Sequence, residues 1–120
     1  MMIKIKRVYD GYNADDGYRI LVDRLWPRGV RKEDANIDEW IKGVTPSTDL
    51  RKWYGHDPEK WLEFQQLYFK ELESATPLIH YIFEKQVNQT VTLVYAAKDI
   101  KHTHAIALKE FIELFGAHKI

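Results

Sequence analysis

The run Val91-Thr92-Leu93-Val94-Tyr95-Ala96-Ala97 is β-branched and apolar on both faces. A strand without a polar side must be covered above and below, the condition of a central strand in a parallel sheet. Outward from it, residues 98–103 are polar and read as a loop. The next segment, residues 104–115, sets Ala105, Leu108, Ile112 and Phe115 at helical spacing, with Gly116 expected at its C-terminal end. Upstream, residues 77–85 place Leu78, Tyr81 and Ile82 together on a further helix. Asp57-Pro58-Glu59 opens the longest helix, with a capping acid, a proline in the first turn and a second acid for the dipole. It runs to about Ser74 on a stripe of Trp61, Phe64, Tyr68 and Leu72. Ser47 or Thr48 caps a short helix over residues 48–53, which Gly55-His56 breaks.

The N-terminal half supplies the other strands. Ile3, Ile5 and Val8 alternate with charged residues and predict a half-buried strand over residues 3–9, followed by a polar loop over 10–16. A second strand is expected over residues 18–26. Residues 31–34 are charged and exposed, and residues 36–42 read as a short strand or a helical turn. Strands alternating with helices define the expected architecture: a small single α/β domain, residues 1–120, with a mostly parallel central sheet flanked by helices. No internal repeat, linker or low-complexity segment interrupts it.

Composition narrows the function classes. Lysine plus arginine balance aspartate plus glutamate at 18 each, so no overall field draws the protein to nucleic acid or an anionic membrane. The chain has no cysteine, which excludes a cysteine nucleophile, thiolate metal sites and disulfides, and fits a reducing compartment. No apolar run approaches the roughly 20 residues of a membrane span. Met1-Met2-Ile3-Lys4-Ile5-Lys6 enters an alternating pattern with no signal-peptide core, so a cytoplasmic location is the expectation.

The segment Gly17-Tyr18-Arg19-Ile20-Leu21-Val22-Asp23-Arg24-Leu25-Trp26-Pro27-Arg28-Gly29 carries the chemistry. Charge inside an apolar strand is costly unless paired or used. Alternation sets Arg19 and Asp23 on one face and Arg24 and Trp26 on the other. Pairing with carboxylates elsewhere accounts for Arg19 and Asp23 in the middle of the strand. Arg24 and Arg28 fall beside Pro27 and Gly29, at a strand end, where open α/β sheets bind ligands. A guanidinium fork suits phosphate or carboxylate at any physiological pH.

Two further groups stand out. A helix starting near Ser47 offers amides to an anion, with Arg51 one turn on; a plain cap and a surface arginine is the alternative. Glu71 lies on the apolar stripe of the long helix, where it either pairs with Arg19, Arg24 or Arg51 or acts as a general base. His102, His104 and Asp99 resemble a metal set, but two histidines and an acid at such spacing arise commonly by chance, and no metal is expected. No GxGxxG, P-loop or GxSxG motif is present, and no cofactor is expected. Trp26, Trp40 and Trp53 serve the core or line a pocket for a planar ligand.

These clusters resemble the bacterial YeaO-like family, domain of unknown function 488, over nearly the whole chain. The resemblance rests on Lys6-Arg7-Val8-Tyr9-Asp10, on Asp16 through Gly29, on Asp38-Glu39-Trp40 with Lys42, and on Thr45 through Lys52. It continues through Tyr68, Glu71-Leu72 and Thr92 to Lys98. It implies signature positions at Arg19, Asp23, Arg24, Pro27, Arg28, Ser47, Arg51, Glu71, Tyr95 and Lys98, and it implies no particular reaction. Where the family shows Asn-His-Ala at the start of the last helix, this chain has Thr103-His104-Ala105. Threonine still caps a helix but cannot offer both an amide donor and a carbonyl.

The expectation is a protein that binds a phosphorylated or carboxylated small molecule, nucleotides included. Arg19, Arg24, Arg28, Ser47, Arg51, Lys98, Trp26 and Tyr95 form the candidate ligand set, with Glu71 and Asp23 as acid–base candidates. Hydrolysis is the reaction class that fits the absence of redox or group-transfer motifs. The alternatives are a regulatory or protein-interaction module without chemistry, and a nucleic-acid-associated protein using Lys4 to Arg7 and Arg28 to Lys32. A homo-oligomer is compatible with either.

Overall fold

Four strands form one parallel sheet: β1 (Ile3–Arg7), β2 (Tyr18–Leu21), β3 (Glu39–Trp40) and β4 (Val91–Tyr95), in the order β1-β4-β2-β3. The computed structural model describes residues 2–119; Met1, the first residue of the alternating N-terminal run, and Ile120 lie outside them. β4 is central, as its two apolar faces require, and all five of its residues are buried. Ile3 to Arg7 pair with Val91 to Tyr95 on one side of it, and Tyr18 to Leu21 with Val91 to Val94 on the other.

The pleat divides the core. Val91, Leu93 and Tyr95 with Ile20 and Val22 face helices α2 (Thr48–Tyr54), α3 (Trp61–Glu73), α4 (Thr76–Lys85) and α5 (His104–Lys119), meeting Leu50, Phe64, Tyr68, Leu72, Ile79, Ile82, Leu108 and Ile112. Leu21, Val94 and Val8 form a smaller cluster with Trp26, Val30 and Ile37 from the segment between β2 and β3 and with Trp40 of β3. That segment, with the single-turn helix α1 (Lys32–Ala35), covers the opposite face of the sheet.

The helices of the sequence reading form, with shifted ends. A 3-10 turn over Pro58–Lys60, capped by Asp57, precedes α3. Residues 10–16 hold part of one 3-10 turn, Val8–Asp10, and all of a second, Ala14–Asp16, closed by a reciprocal Asn13–Asp16 capping box. Residues 36–42 take the short-strand option as β3. Gly116 does not end the last helix. It lies inside α5, where a Cβ would overlap the Phe83 ring, so this glycine serves α4–α5 packing rather than termination.

β2 is also shorter than the expected residues 18–26. Val22 still donates its amide to Val94 O at 3.0 Å, but the next carbonyls leave the ladder. Val22 O accepts from His104 Nε2 at 2.8 Å, and Asp23 O accepts from Trp40 Nε1 at 2.6 Å. Side chains from α5 and β3 take the bonds a continued strand would have made. The chain turns away there, and Trp26 Nε1 closes the turn on Val30 O at 2.6 Å.

Candidate functional site

The carboxyl ends of β1, β4 and β2 open into a cleft of about 590 Å³, where parallel sheets place ligands. Its walls come from the turn after β2, from the α2 region and from the loop leading into α5. Arg24, Arg28, Arg51 and Lys52 line it, and Asp23 is the only carboxylate residue among the described residues that line it. The local charge is therefore positive although the chain as a whole is neutral.

Arg24 donates from Nη2 to Pro46 O at 3.3 Å, which ties the β2 turn to the entry of α2. Its Nε is buried and has no acceptor among the described residues. Buried N–H groups nearly always have a partner, so this one stands out. Arg28 and Arg51 are exposed at the cleft rim. Trp26 also lines the cleft, with its ring edge-on to Trp40 at 5.5 Å.

Asp23 and His104 form the polar floor. Asp23 Oδ2 accepts from Ala96 N at 2.9 Å, and Oδ1 lies 3.3 Å from His104 Nε2. Burial pushes the Asp23 carboxyl above its ordinary value, against the pull of His104, the Ala96 amide and Arg51. Burial lowers the His104 imidazole, with Arg51 and His56 acting in the same direction and Asp23 and Val22 O opposing. Arg7 donates from Nε to Ala97 O at 2.8 Å, so the β4 exit is held from two sides.

The remaining candidates lie elsewhere. Arg19 is 1% exposed and donates to Asp16 Oδ2 at 2.5 Å, Asn36 O at 2.9 Å and Ala35 O at 3.0 Å. Its whole fork is bonded to protein, and it fastens the segment after α1 to β2. Glu71 accepts from Ser47 N at 2.8 Å and from Ser47 Oγ at 2.6 Å, while Ser47 Oγ accepts from Leu50 N at 3.1 Å. The start of α2 is thus bonded to the protein's own carboxylate, and the partner of Glu71 is a serine rather than an arginine. Neither Ser47 nor Glu71 lines the cleft. Tyr95 is buried in the core and Lys98 is exposed beyond the cleft.

Lys52, Tyr54, His56 and His104 are among the cleft residues outside the binding set expected from sequence. The sequence offers His104 as a metal ligand; its position one residue past a capping threonine at a strand-to-helix loop is the signal that marks it for the cleft. Gly55 and His56 both adopt left-handed backbone, φ 53° and 57°, and this turn carries the His56 side chain to the cleft. Tyr54 donates to His102 O at 2.9 Å, and burial together with Asp99 and Asp57 pushes its hydroxyl up to about 12. Thr103 accepts from Ala105 N at 3.4 Å, so the residue in the asparagine position still caps α5. Among the described residues no group of three or more histidine, cysteine, aspartate or glutamate side chains is placed to hold a metal ion. No helix among them is long and apolar enough to cross a membrane.

The chain is 42% identical to the uncharacterised protein YeaO of Escherichia coli K12 over 112 residues, 93% of this chain and 97% of that protein. It is 38% identical to the uncharacterised protein Rv3073c of Mycobacterium tuberculosis over 110 residues, 92% of each. No solved structure matches it with significance. The family model described as the inactive DUF488-N3 subclade, DUF488-N3i, matches residues 2–117. With nearly the whole length matched, the chain belongs to this YeaO-like branch of the DUF488 family.

Proposed function

We propose that the protein binds a small molecule bearing a phosphate or carboxylate group in the cleft at the strand ends, without turning it over. The observation that carries this reading is Arg24: a buried guanidinium Nε without an acceptor, on a residue that lines a cleft with Arg28 and Arg51 beside it. An anion supplies the missing acceptor and balances the local charge. The concave placement of these groups, on a chain of zero net charge, favours a small anion over a nucleic-acid backbone.

Binding without chemistry has three supports. The subclade's own description is inactive. Glu71 is held by Ser47 outside the cleft. Both oxygens of Asp23 face donors inside the protein. Hydrolysis retains one foothold, the Asp23–His104 pair, which has the arrangement of an oriented general base.

The test is a low-salt thermal-shift series with inorganic phosphate, sulfate, nucleotides, sugar phosphates and carboxylates. A ligand at about 100 times its Kd adds about 2.7 kcal/mol to stability. The expected result is a selective shift in the wild-type protein that is absent in a folded Arg28→Ala variant. No shift with any anion, or a shift that survives both Arg28→Ala and Arg51→Ala, overturns the reading.

A further inference from the structure

His104 Nε2 faces two acceptors, Val22 O at 2.8 Å and Asp23 Oδ1 at 3.3 Å. That nitrogen must carry the proton, because the Val22 backbone carbonyl at 2.8 Å can only accept. The neutral ring's lone pair is therefore on Nδ1, which has no hydrogen-bond partner among the described residues. The side chain is 17% exposed and lines the cleft. Around it, Arg24, Arg28, Arg51 and Lys52 are all donors, and the oxygens of Asp23 are turned to Ala96 N and His104 Nε2, so Nδ1 is an acceptor left open beside cationic donors. Resting on the anion-binding reading above, we infer that His104 is a specificity residue whose Nδ1 accepts a hydrogen bond from the ligand. The ligand class is then a phosphate or carboxylate compound carrying a hydroxyl near its anionic group, as in a polyol phosphate or a hydroxy acid.

The surroundings of His104 hold this tautomer in place. Asp23 faces it from the end of β2, Arg51 from α2, His56 from the turn after α2, and the Tyr68 ring from α3 at 6.3 Å. Burial and the nearby cations oppose a second proton on the ring, which keeps Nδ1 an acceptor at neutral pH. A site built around an acceptor rejects analogues that cannot donate to it, because its own group is left unpaired.

Calorimetric titration of 2-hydroxyethyl phosphate against 2-methoxyethyl phosphate at pH 8 tests this. The two probes share the anion and differ in whether the oxygen beside it can donate. Wild-type protein should prefer the hydroxyl by about five- to tenfold, the range of one hydrogen bond. His104→Gln puts an amide donor where Nε2 donates and removes the Nδ1 acceptor, so the preference should fall to about one. Should that variant fail to fold, propyl phosphate against wild-type protein at pH 8 provides the second arm: its methyl group fills the place of the hydroxyl but cannot donate, so the 2-hydroxyethyl compound should again be preferred. Equal affinities for the hydroxyl compound and either analogue in wild type at pH 8, or a preference that survives His104→Gln, overturns the inference alone. Binding of neither probe overturns it together with the anion reading.

Discussion

Arg19→Met separates an arginine that builds the fold from arginines that face the cleft. Arg19 is 1% exposed, and its fork reaches Asp16 Oδ2, Asn36 O and Ala35 O. Methionine fills much of the stem volume but leaves the buried Ala35 carbonyl, the part-buried Asn36 carbonyl and one carboxylate oxygen without this donor. Removing one partner of a buried ion pair costs about 3–5 kcal/mol. Asp16 keeps Lys6 at 3.2 Å and the Asn13 amide at 3.1 Å, which moves the expected loss to the lower end, about 3 kcal/mol. Unfolding entropy near 2.1 cal/mol/K per residue makes about 0.25 kcal/mol/K for 120 residues, so Tm should fall by about 12 °C. Urea titration followed by circular dichroism reads the change as a shifted midpoint at constant slope. A loss below about 1 kcal/mol would refute the reasoning, because the guanidinium would then be dispensable to the segment it fastens.

Two further outcomes follow from the same geometry. Glu71→Gln keeps an acceptor for Ser47 N but replaces a charge-assisted bond to Ser47 Oγ, so it should cost about 1 kcal/mol in urea titration and leave anion binding unchanged; lost binding in a folded variant would return Glu71 to the site. His104 titrates below its ordinary value in the native state, so the unfolded chain takes up a proton first as pH falls through about 6.5, and this contribution to stability is lost toward the folded pKa. Asp23, raised by burial, works the other way: native Asp23 takes up its proton before the unfolded chain does, offsetting part of the loss at more acid pH. The urea midpoint of wild-type protein should therefore drop from pH 7 to 5.5 more steeply than that of His104→Gln, and parallel profiles would contradict the assignment.

Much of the fold was legible because its signals are local. Residues 91–95 announce a central strand by their lack of a polar face, and Asp57-Pro58 announces a helix start by capping chemistry. The end of β2 was not legible, because its terminators are remote: His104 bonds to Val22 from 82 positions away, and Trp40 reaches Asp23 from 17. Gly116 read as a stop because only the tertiary partner Phe83 reveals why a side chain is excluded there. At the site, the proline and glycine after Arg24 marked the strand-end turn, and the structure brings Arg24, Trp26, Arg28 and Arg51 to one cleft. The mid-strand place of Arg19 marks it as paired and the helix start at Ser47 offers a plain cap, whereas Glu71, Tyr95 and Lys98 carry no local mark that separates a bonded or distant polar group from one lining the cleft.

Asp23 shows why a costly charge sits at the end of a buried strand. One oxygen accepts the Ala96 amide at the exit of β4, the other faces the His104 ring at the start of α5, and its backbone carbonyl accepts from Trp40 on β3. One residue therefore joins three elements at the floor of the cleft, each through a different atom. Were Asp23 only a ligand contact, an asparagine would keep the contact with a positive ligand and lose little else. With an anion in the cleft, a bare carboxylate would repel it, so the charge has to be spent inside the protein. Its two oxygens are turned to an amide and an imidazole, and the repulsion toward the cleft is reduced while the arginines stay unopposed. The negative charge on the floor and the positive charge on the walls are then two parts of one arrangement: Asp23 fixes the histidine tautomer, and under the anion-binding proposal the arginines are left for the ligand.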